Sequence, residues 1–164
     1  MSTVGFATVT GEKQGRIEGG ATHDNDEGLI QVLGFDHAVE LPRRGGANMA
    51  AGRPIHGDIV LAKLLDKSTP KLYQALCTGE MLKTVVFHWY HYTDSAVEEL
   101  FYTIQLENAL ITRAEPWMPD FLDPAYDRYR FMEKISLTYE KILWSWGPSG
   151  DVQFEDSWAP KEDR

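Results

Sequence analysis

The sequence is poor in cysteine and has no long apolar run. Cys77 is the single cysteine among 164 residues, so an intrachain disulfide is excluded. This composition favours a reducing compartment. No apolar run approaches the length of a membrane span, and residues 1–6 lack the basic start and apolar centre of a secretory signal. We therefore expect no membrane insertion, and any export must use a route that does not depend on such a signal.

Positive charge is also scarce. The chain carries 16 lysine and arginine residues against 25 acidic residues, a formal net charge of −9. An acidic surface repels phosphate backbones and anionic lipid, so nucleic acid is not an expected partner. The charge itself is an ordinary means of keeping a protein soluble.

A constellation of catalytic or metal-binding residues is missing as well. The histidines are dispersed, no serine sits in a nucleophile elbow, and the carboxylates are scattered. His88 and His91 fall on opposite faces of an extended strand and make a poor metal pair. We predict that the chain is not an enzyme and has no catalytic residues, no cofactor and no metal. Cys77 is predicted to be a packed, inert thiol.

One segment has the signals of a helix, at residues 69–78. Thr69 and Pro70 suit its first turn, and Gly79 supplies the left-handed residue that ends it. Its apolar stripe is Leu72, Tyr73, Leu76 and Cys77. So short a helix is marginal in water and must pack on something larger.

The rest of the chain is typical of strands. Alternating apolar residues run through residues 29–41, 83–92, 98–111 and 131–146, with no internal repeat and no second domain boundary. We predict one domain over residues 1–164, mainly β. Two packed antiparallel sheets should form a β-barrel with one short flanking α-helix, followed by a polar tail at residues 147–164.

Two predicted strands have faces that indicate contacts. In residues 29–41 the odd positions make an apolar core face, whereas the even positions Gly34, Asp36 and Ala38 are small or polar and should meet water or a cavity shared between subunits. Residues 83–92 are bulky on both faces, which indicates a strand that is either central in its sheet or buried at a subunit interface. The interface candidates are His88, Tyr90 and Tyr92.

Residues 42–54 are rich in glycine and proline and predict an extended hairpin loop. The strand–loop–helix context of a phosphate-binding loop is missing. Three arginines here, on an acidic protein, favour contact with another copy of the chain. The candidate contact residues are Arg43, Arg44, Asn48 and Arg53.

Several short motifs occur in order along almost the whole chain. They are GEKQGRI at 11–17, IQVLGF at 30–35, LDKSTP at 65–70, TGE at 78–80, FYTI at 101–104, WMP at 117–119, LDP at 122–124, YEKI at 139–142 and EDSW at 155–158. Each is weak alone, but the ordered set resembles the haemolysin-coregulated (Hcp) tube proteins of bacterial type VI secretion systems.

This resemblance implies a structural protein. Its subunits would form hexameric rings with an open lumen, and the rings would stack into a tube. A contractile sheath would propel the tube, with a spike protein at its tip, and small effector proteins would be held in the rings. The protein would be cytoplasmic in the producing bacterium and then secreted. Arg43, Arg44, Asn48 and Arg53 would then contact the next ring, and Gly34, Asp36 and Ala38 would face the lumen and its cargo.

A different class of function stays open on the residues alone. Five tryptophans and scattered carboxylates also suit a monomeric carbohydrate-binding β-sandwich or a small glycoside hydrolase. A large ring without turnover would distinguish the tube protein from both.

Overall fold

The chain folds mainly into antiparallel strands, in a computed structural model that describes residues 3–46 and 48–158. The α-helix is α1 (Thr69–Thr78), and a short 3-10 turn covers Pro124–Tyr126. The strands are β1 (Val4–Gly11), β2 (Gly15–Ile17), β3 (Ala21–His23), β4 (Asp26–Val32), β5 (Gly34–Asp36), β6 (Val39–Glu40), β7 (Ile55–His56), β8 (Ile59–Leu64), β9 (Leu82–Tyr92), β10 (Glu98–Trp117), β11 (Met132–Thr138), β12 (Lys141–Trp146) and β13 (Val152–Ser157). Within the described ranges, no helix has the length and apolar character needed to cross a bilayer.

Two sheets share the long strand β10. Its first part pairs with β9 on one edge and β12 on the other, and its second part pairs with β11. The sheets also meet on their far side, because β4 pairs with β1 while β5, one residue later, pairs with β8. Leu33 lies between β4 and β5 and donates its N–H to the Ala62 carbonyl at 2.8 Å. The strands therefore wrap around one core, joined there by chain continuity.

The core is made by alternating apolar side chains from both sheets. Along β8 every second residue is buried, which is the pattern of a strand with one face inward. The fully buried large apolar residues are Ile17, Ile30, Ile59, Leu82, Val85, Phe87, Leu106, Ile135, Leu137 and Ile142. Burial of these side chains is the main force that holds the sheets together.

The helix has the predicted bounds, but Cys77 is exposed and the prediction of a packed thiol is wrong. The helix ends at Gly79 with φ of 66°, as predicted. Its buried residues are Thr69, Leu72 and Ala75. Each residue turns the helix by about 100°, so Cys77 points well away from the buried face centred on Leu72 and Ala75.

A buried polar cluster lies where β8 leads into the helix. The side chains of Lys63 and Glu133 are 1% and 0% exposed and form an ion pair. The Lys63 ammonium also donates to Asp66 Oδ1 at 3.1 Å and to the Leu64 carbonyl at 2.9 Å. Thr69 Oγ1 donates to Glu133 Oε1 at 2.7 Å. We call these side chains the helix cluster, and they fix the first turn of α1 to β11.

Asp66 connects this cluster to the residue before the helix. Its Oδ1 accepts the Ser68 N–H at 2.9 Å as well as the Ser68 hydroxyl. Burial alone would raise the pKa of Asp66, but the hydrogen bonds from Ser68 and the charge of Lys63 outweigh it and hold the pKa below its ordinary value. The carboxylate therefore stays charged at neutral pH.

Residues 29–41 do not form one strand, and the predicted core face is wrong in part. The segment divides into β4, β5 and β6. Because the chain passes from one sheet to the other at Leu33, the inward positions change parity there: Ile30 and Val32 are buried before it, and Phe35 packs inward after it. The residues predicted to be core but found exposed are Leu33, Val39 and Leu41.

The predicted tail contains a strand. Residues 152–157 form β13, which pairs with β12 over its whole length. Residues 159–164 of the predicted tail lie outside the described residues, as does Ala47 in the predicted loop.

Candidate interaction surfaces

The predicted loop at 42–54 is the outer part of a β-hairpin, which we call the arm (residues 38–56). At its base β6 pairs with β7, with Val39 opposite His56. Farther out, Arg43 forms an isolated bridge with Ala50. Most of the arm is exposed, so its shape depends on its own hydrogen bonds and on how its base is held.

The arginines of the arm are open to a partner. Arg43, Arg44, Asn48 and Arg53 are all exposed, and the first three line a shallow cavity of about 530 Å³. Within residues 3–46 and 48–158, the salt bridges use other residues, so the three guanidinium groups have no carboxylate partner there. A cationic arm on an acidic protein can therefore meet an acidic surface.

A second exposed surface lies on the β12–β13 hairpin, which we call the wing (residues 141–157). β12 pairs with β10, and β13 pairs with β12 alone in the described part of the chain, so the outer edge of β13 is free. Trp146, Val152 and Phe154 are 55%, 67% and 64% exposed. These side chains lie on the same face of the hairpin as the core residue Ile142, but farther along it. Trp144 is opposite Phe154, and their rings stack with centroids 5.9 Å apart.

A third surface is a groove of about 350 Å³ beside the loop that joins β10 to β11. Its apolar wall is Leu33, Leu64, Trp117, Tyr129 and Met132, and its cationic members are Arg128, Arg130 and Lys134. The neighbouring loop exposes further large apolar side chains at Met118, Phe121, Leu122, Tyr126 and Phe131. Large exposed apolar patches of this kind mark interaction sites.

The predicted interface residues on β9 are only partly accessible. Tyr92 is exposed, whereas His88 and Tyr90 are half-buried. The ring of Tyr90 packs against His23 with centroids 4.3 Å apart. The β3–β4 hairpin therefore covers part of this face. Burial lowers the pKa of His88, which favours its neutral form.

The predicted cargo-facing residues share the outward face of β5 and the turn beyond it. Asp36 is exposed and lies opposite Val60, while Phe35 between Gly34 and Asp36 points inward against Phe87 at 5.3 Å. Gly34 lies against Ala62, and a Cβ on it would approach the Ala62 Cβ to 3.1 Å. Ala38 is exposed where the arm begins.

One histidine–carboxylate group lies on the surface that the β3–β4 hairpin covers. His23 Nε2 is 2.8 Å from Glu98 Oε2, and His23 Nδ1 is 3.5 Å from Asp24 Oδ2. The two carboxylates lie beside different nitrogens of the imidazole, and the ligand atoms of the three residues lie within 4.8 Å of one another. Sequence patterns miss this contact, since His23 and Glu98 are separated by 75 residues.

These features define a class of protein. A wrapped antiparallel fold with a cationic arm and two exposed apolar surfaces favours a structural protein with surfaces open to partners. The chain matches the family model described as "Type VI secretion system effector, Hcp" over residues 6–146. It belongs to this family of type VI secretion proteins, which are exported structural tube proteins rather than enzymes.

Relatives of known name and solved structures agree. The chain is 33% identical over 169 residues to the "Major exported protein" of Pseudomonas aeruginosa, covering 98% of each chain. A crystal structure of an Hcp protein is 29% identical, covers 97% of this chain and 99% of its own, and has a TM-score of 0.89. The secreted protein Hcp3 from Pseudomonas aeruginosa is 30% identical with a TM-score of 0.78, over 97% of this chain and 100% of its own.

Three predictions are confirmed by these matches. The resemblance to the Hcp family is correct, and so is the mainly β fold with packed sheets and one helix. The prediction that the chain is not an enzyme follows from the family, and the family does not support the alternatives of a carbohydrate-binding module or glycoside hydrolase.

Proposed function

We propose that this chain is a subunit of the inner tube of a type VI secretion system. Its subunits form hexameric rings with an open lumen, and the rings stack into a tube that carries small effector proteins. The protein is cytoplasmic until a contractile sheath expels the tube, tipped by a spike protein, without a signal peptide. Family membership supports the coarse role. The observation that carries the assembly is a pair of separate apolar surfaces, the wing and the groove.

A closed ring needs one surface of a subunit to meet a different surface of the next. The wing supplies exposed aromatic side chains and a strand edge that has no partner among the described residues. The groove supplies an apolar wall with a cationic rim. Asp151 and Glu155 on the wing carry the charge opposite to that rim. We therefore pair the wing of one subunit with the groove of its neighbour.

The residues of β9 have a smaller part in this contact. Tyr92 is exposed and can extend the interface beyond the wing. His88 and Tyr90 are half-buried, so they act mainly by packing within β9, the strand that carries Tyr92.

The arm and β5 take the other two roles. Arg43, Arg44, Asn48 and Arg53 reach an acidic surface of the adjacent ring, because they are exposed and have no carboxylate partner among the described residues. Gly34, Asp36 and Ala38 face the lumen and help to select the cargo. For Asp36, replacement by arginine should leave the rings intact but lower their retention of a cognate effector in a pull-down.

The ring contact is tested by changing the wing. In the double variant Trp146→Ser with Phe154→Ser, we expect monomers by light scattering with an unchanged far-UV circular dichroism spectrum, because these side chains are exposed in the single chain. Val97→Ser removes another exposed apolar side chain and should leave the ring intact. Rings in the double variant would contradict the wing contact, and a strictly monomeric parent at high concentration would contradict the tube itself.

A further inference from the structure

Four titratable side chains form a continuous hydrogen-bonded row at the base of the arm. Tyr139 Oη lies 2.9 Å from His37 Nε2 and 2.6 Å from His56 Nδ1. His56 Nε2 lies 2.7 Å from Asp156 Oδ2. His37 precedes β6 and His56 ends β7, so the row ties both roots of the arm to the body and to the wing. We call this row the latch.

The centre of the latch is shielded from water. The side chain of His56 is 3% exposed, and Tyr139 is buried. The ring of Trp158 lies 5.3 Å from that of His56, and the ring of Trp144 stacks at 6.3 Å. A buried polar atom without a partner is costly, so the donors and acceptors of the latch must match one another.

With both histidines neutral, the donors and acceptors of the latch can be matched in one way. The Asp156 carboxylate can only accept, so His56 carries its hydrogen on Nε2 and leaves Nδ1 bare. The Tyr139 hydroxyl then donates to His56 Nδ1, and its oxygen accepts from His37 Nε2–H. Every polar atom from Asp156 Oδ2 to His37 Nε2 then has a partner within the row.

With one proton added to His56, the donors and acceptors match again, but the hydrogen bonds of Tyr139 run in the opposite direction. His56 Nδ1–H now donates to the Tyr139 oxygen, and the Tyr139 hydroxyl donates to His37 Nε2. His37 then holds its hydrogen on Nδ1, where the backbone of Gly57 can accept it. Asp156 balances the new charge on His56.

A second proton, on His37, leaves the donors and acceptors of the latch unmatched. Both imidazolium rings would direct an N–H at the Tyr139 oxygen, and the hydroxyl hydrogen would have no acceptor within the row. Burial, together with the charge of the neighbouring His56, lowers the pKa of His37, which agrees with this conflict.

The other charged groups near the row are carboxylates. Asp36 acts on His37 and favours its protonation, but less than burial opposes it. Asp58 accepts the Thr112 hydroxyl at 2.6 Å. Burial, and then the charges of Asp156 and Asp58, raise the pKa of Tyr139, so the phenol keeps its hydrogen.

We propose that the latch responds to the number of bound protons: it holds the arm against the body with none or one, and it releases the arm with two. This inference goes beyond the proposed tube function, because it concerns a single chain and applies to isolated subunits and rings alike.

Hydrogen exchange of the arm in the full-length protein tests this, after correction for the intrinsic pH dependence of exchange. As the pH falls from about 7.5, we expect the arm to keep its protection until the row has bound one proton, because the first proton reverses the row without breaking it. By about pH 4.5 exchange should rise by about tenfold, because an unsatisfied buried hydroxyl favours the open arm.

Two variants of His37 separate proton number from ordinary acid sensitivity. The variant His37→Gln places an amide near the Nε2 position that can accept or donate without binding a proton, so acid release should disappear. His37→Leu leaves Tyr139 with no acceptor other than His56, so release should need one proton and move to higher pH. His91→Gln removes a histidine that stacks on Phe101 instead, and should match the parent.

A measurement on the unchanged protein avoids any effect of these variants on folding. Nitrogen chemical shifts of the imidazoles should show hydrogen on Nε2 of His37 at about pH 7.5, and on Nδ1 once His56 is charged. Exchange of the arm that responds to pH equally in the parent and in His37→Gln would overturn the proposal. So would a His37 tautomer that stays the same when His56 becomes charged.

Discussion

Two polar clusters connect separate elements of this molecule, and they differ in chemistry. The helix cluster joins Lys63 to Glu133 and Asp66 inside the body, through an ammonium group and two carboxylates. The latch joins His37, Tyr139 and His56 at the base of the arm, with groups that are neutral or can become so. An ammonium group can only donate, whereas an imidazole can both donate and accept.

The difference shows that one hydrogen-bonded cluster can fix an element in place while another can change its arrangement. The helix cluster has one arrangement of donors and acceptors, so it fixes α1 in a single position. The latch has two complete arrangements and fails in a third, so it can respond to conditions. The fixed cluster lies in the body, and the responsive one lies where an exposed arm begins.

The largest effect is expected from breaking the helix cluster. Glu133→Ala leaves the buried Lys63 ammonium without its closest counter-charge, and Asp66 compensates only in part. We expect the free energy of unfolding to fall by about 3 kcal/mol. Urea unfolding at a fixed protein concentration measures this.

Two controls separate charge burial from a general effect of substitution. Glu12 is exposed in the β1–β2 turn, and Glu12→Ala should change the free energy of unfolding by less than about 0.5 kcal/mol. The double variant Lys63→Met with Glu133→Leu removes both charges and should recover most of the loss. A double variant as unstable as Glu133→Ala would show that packing, and not an unpaired charge, sets the cost.

The next effect distinguishes the clusters by pH. The pKa of His37 is lowered from 6.5, so its neutral form stabilises the fold fully above 6.5, and this stability is lost as the pH falls below that value. The pKa of Asp66 is lowered from 3.8, so its contribution is present above 3.8 and is lost only at more acidic pH. The free energy of unfolding measured in urea should therefore fall in two separate ranges of pH.

His37→Gln should remove the first range and leave the second unchanged. His91→Gln serves as the matched control, because it removes a histidine outside both clusters. If the stability of the parent is the same at about pH 7.5 and about pH 5, then the neutral form of His37 does not stabilise the fold.

The parts of this fold set by neighbouring residues could be predicted from the sequence. Pro70 and Gly79 mark the helix because they act within one turn of its ends. The latch could not be predicted, because His37 and Tyr139 are separated by 102 residues and meet only through the register of the sheets. The alternating pattern places Leu33 and Leu41 in the core, yet both are exposed, because alternation marks an apolar face without showing whether it packs within the chain or against another.

The smallest effect on stability is expected at the tip of the arm. Replacing Arg43, Arg44 and Arg53 together by serine removes three exposed charges that have no carboxylate partner among the described residues. The free energy of unfolding should change by less than about 0.5 kcal/mol. Each surface ion pair between rings contributes only about 0–1 kcal/mol, but a ring repeats each contact by its symmetry. Stacking should therefore weaken while single rings persist.

A matched variant makes this test specific to the arm. Lys13, Lys71 and Lys83 are exposed on the body, and replacing all three by serine changes the net charge by the same amount. Electron microscopy of negatively stained samples should show shorter tubes for the arm variant than for the lysine variant, with rings of equal diameter in both. Since long-range repulsion between acidic rings is the same in the two variants, a difference in tube length must come from local contacts of the arm. Equal tube lengths would show that the arginines of the arm do not join the rings.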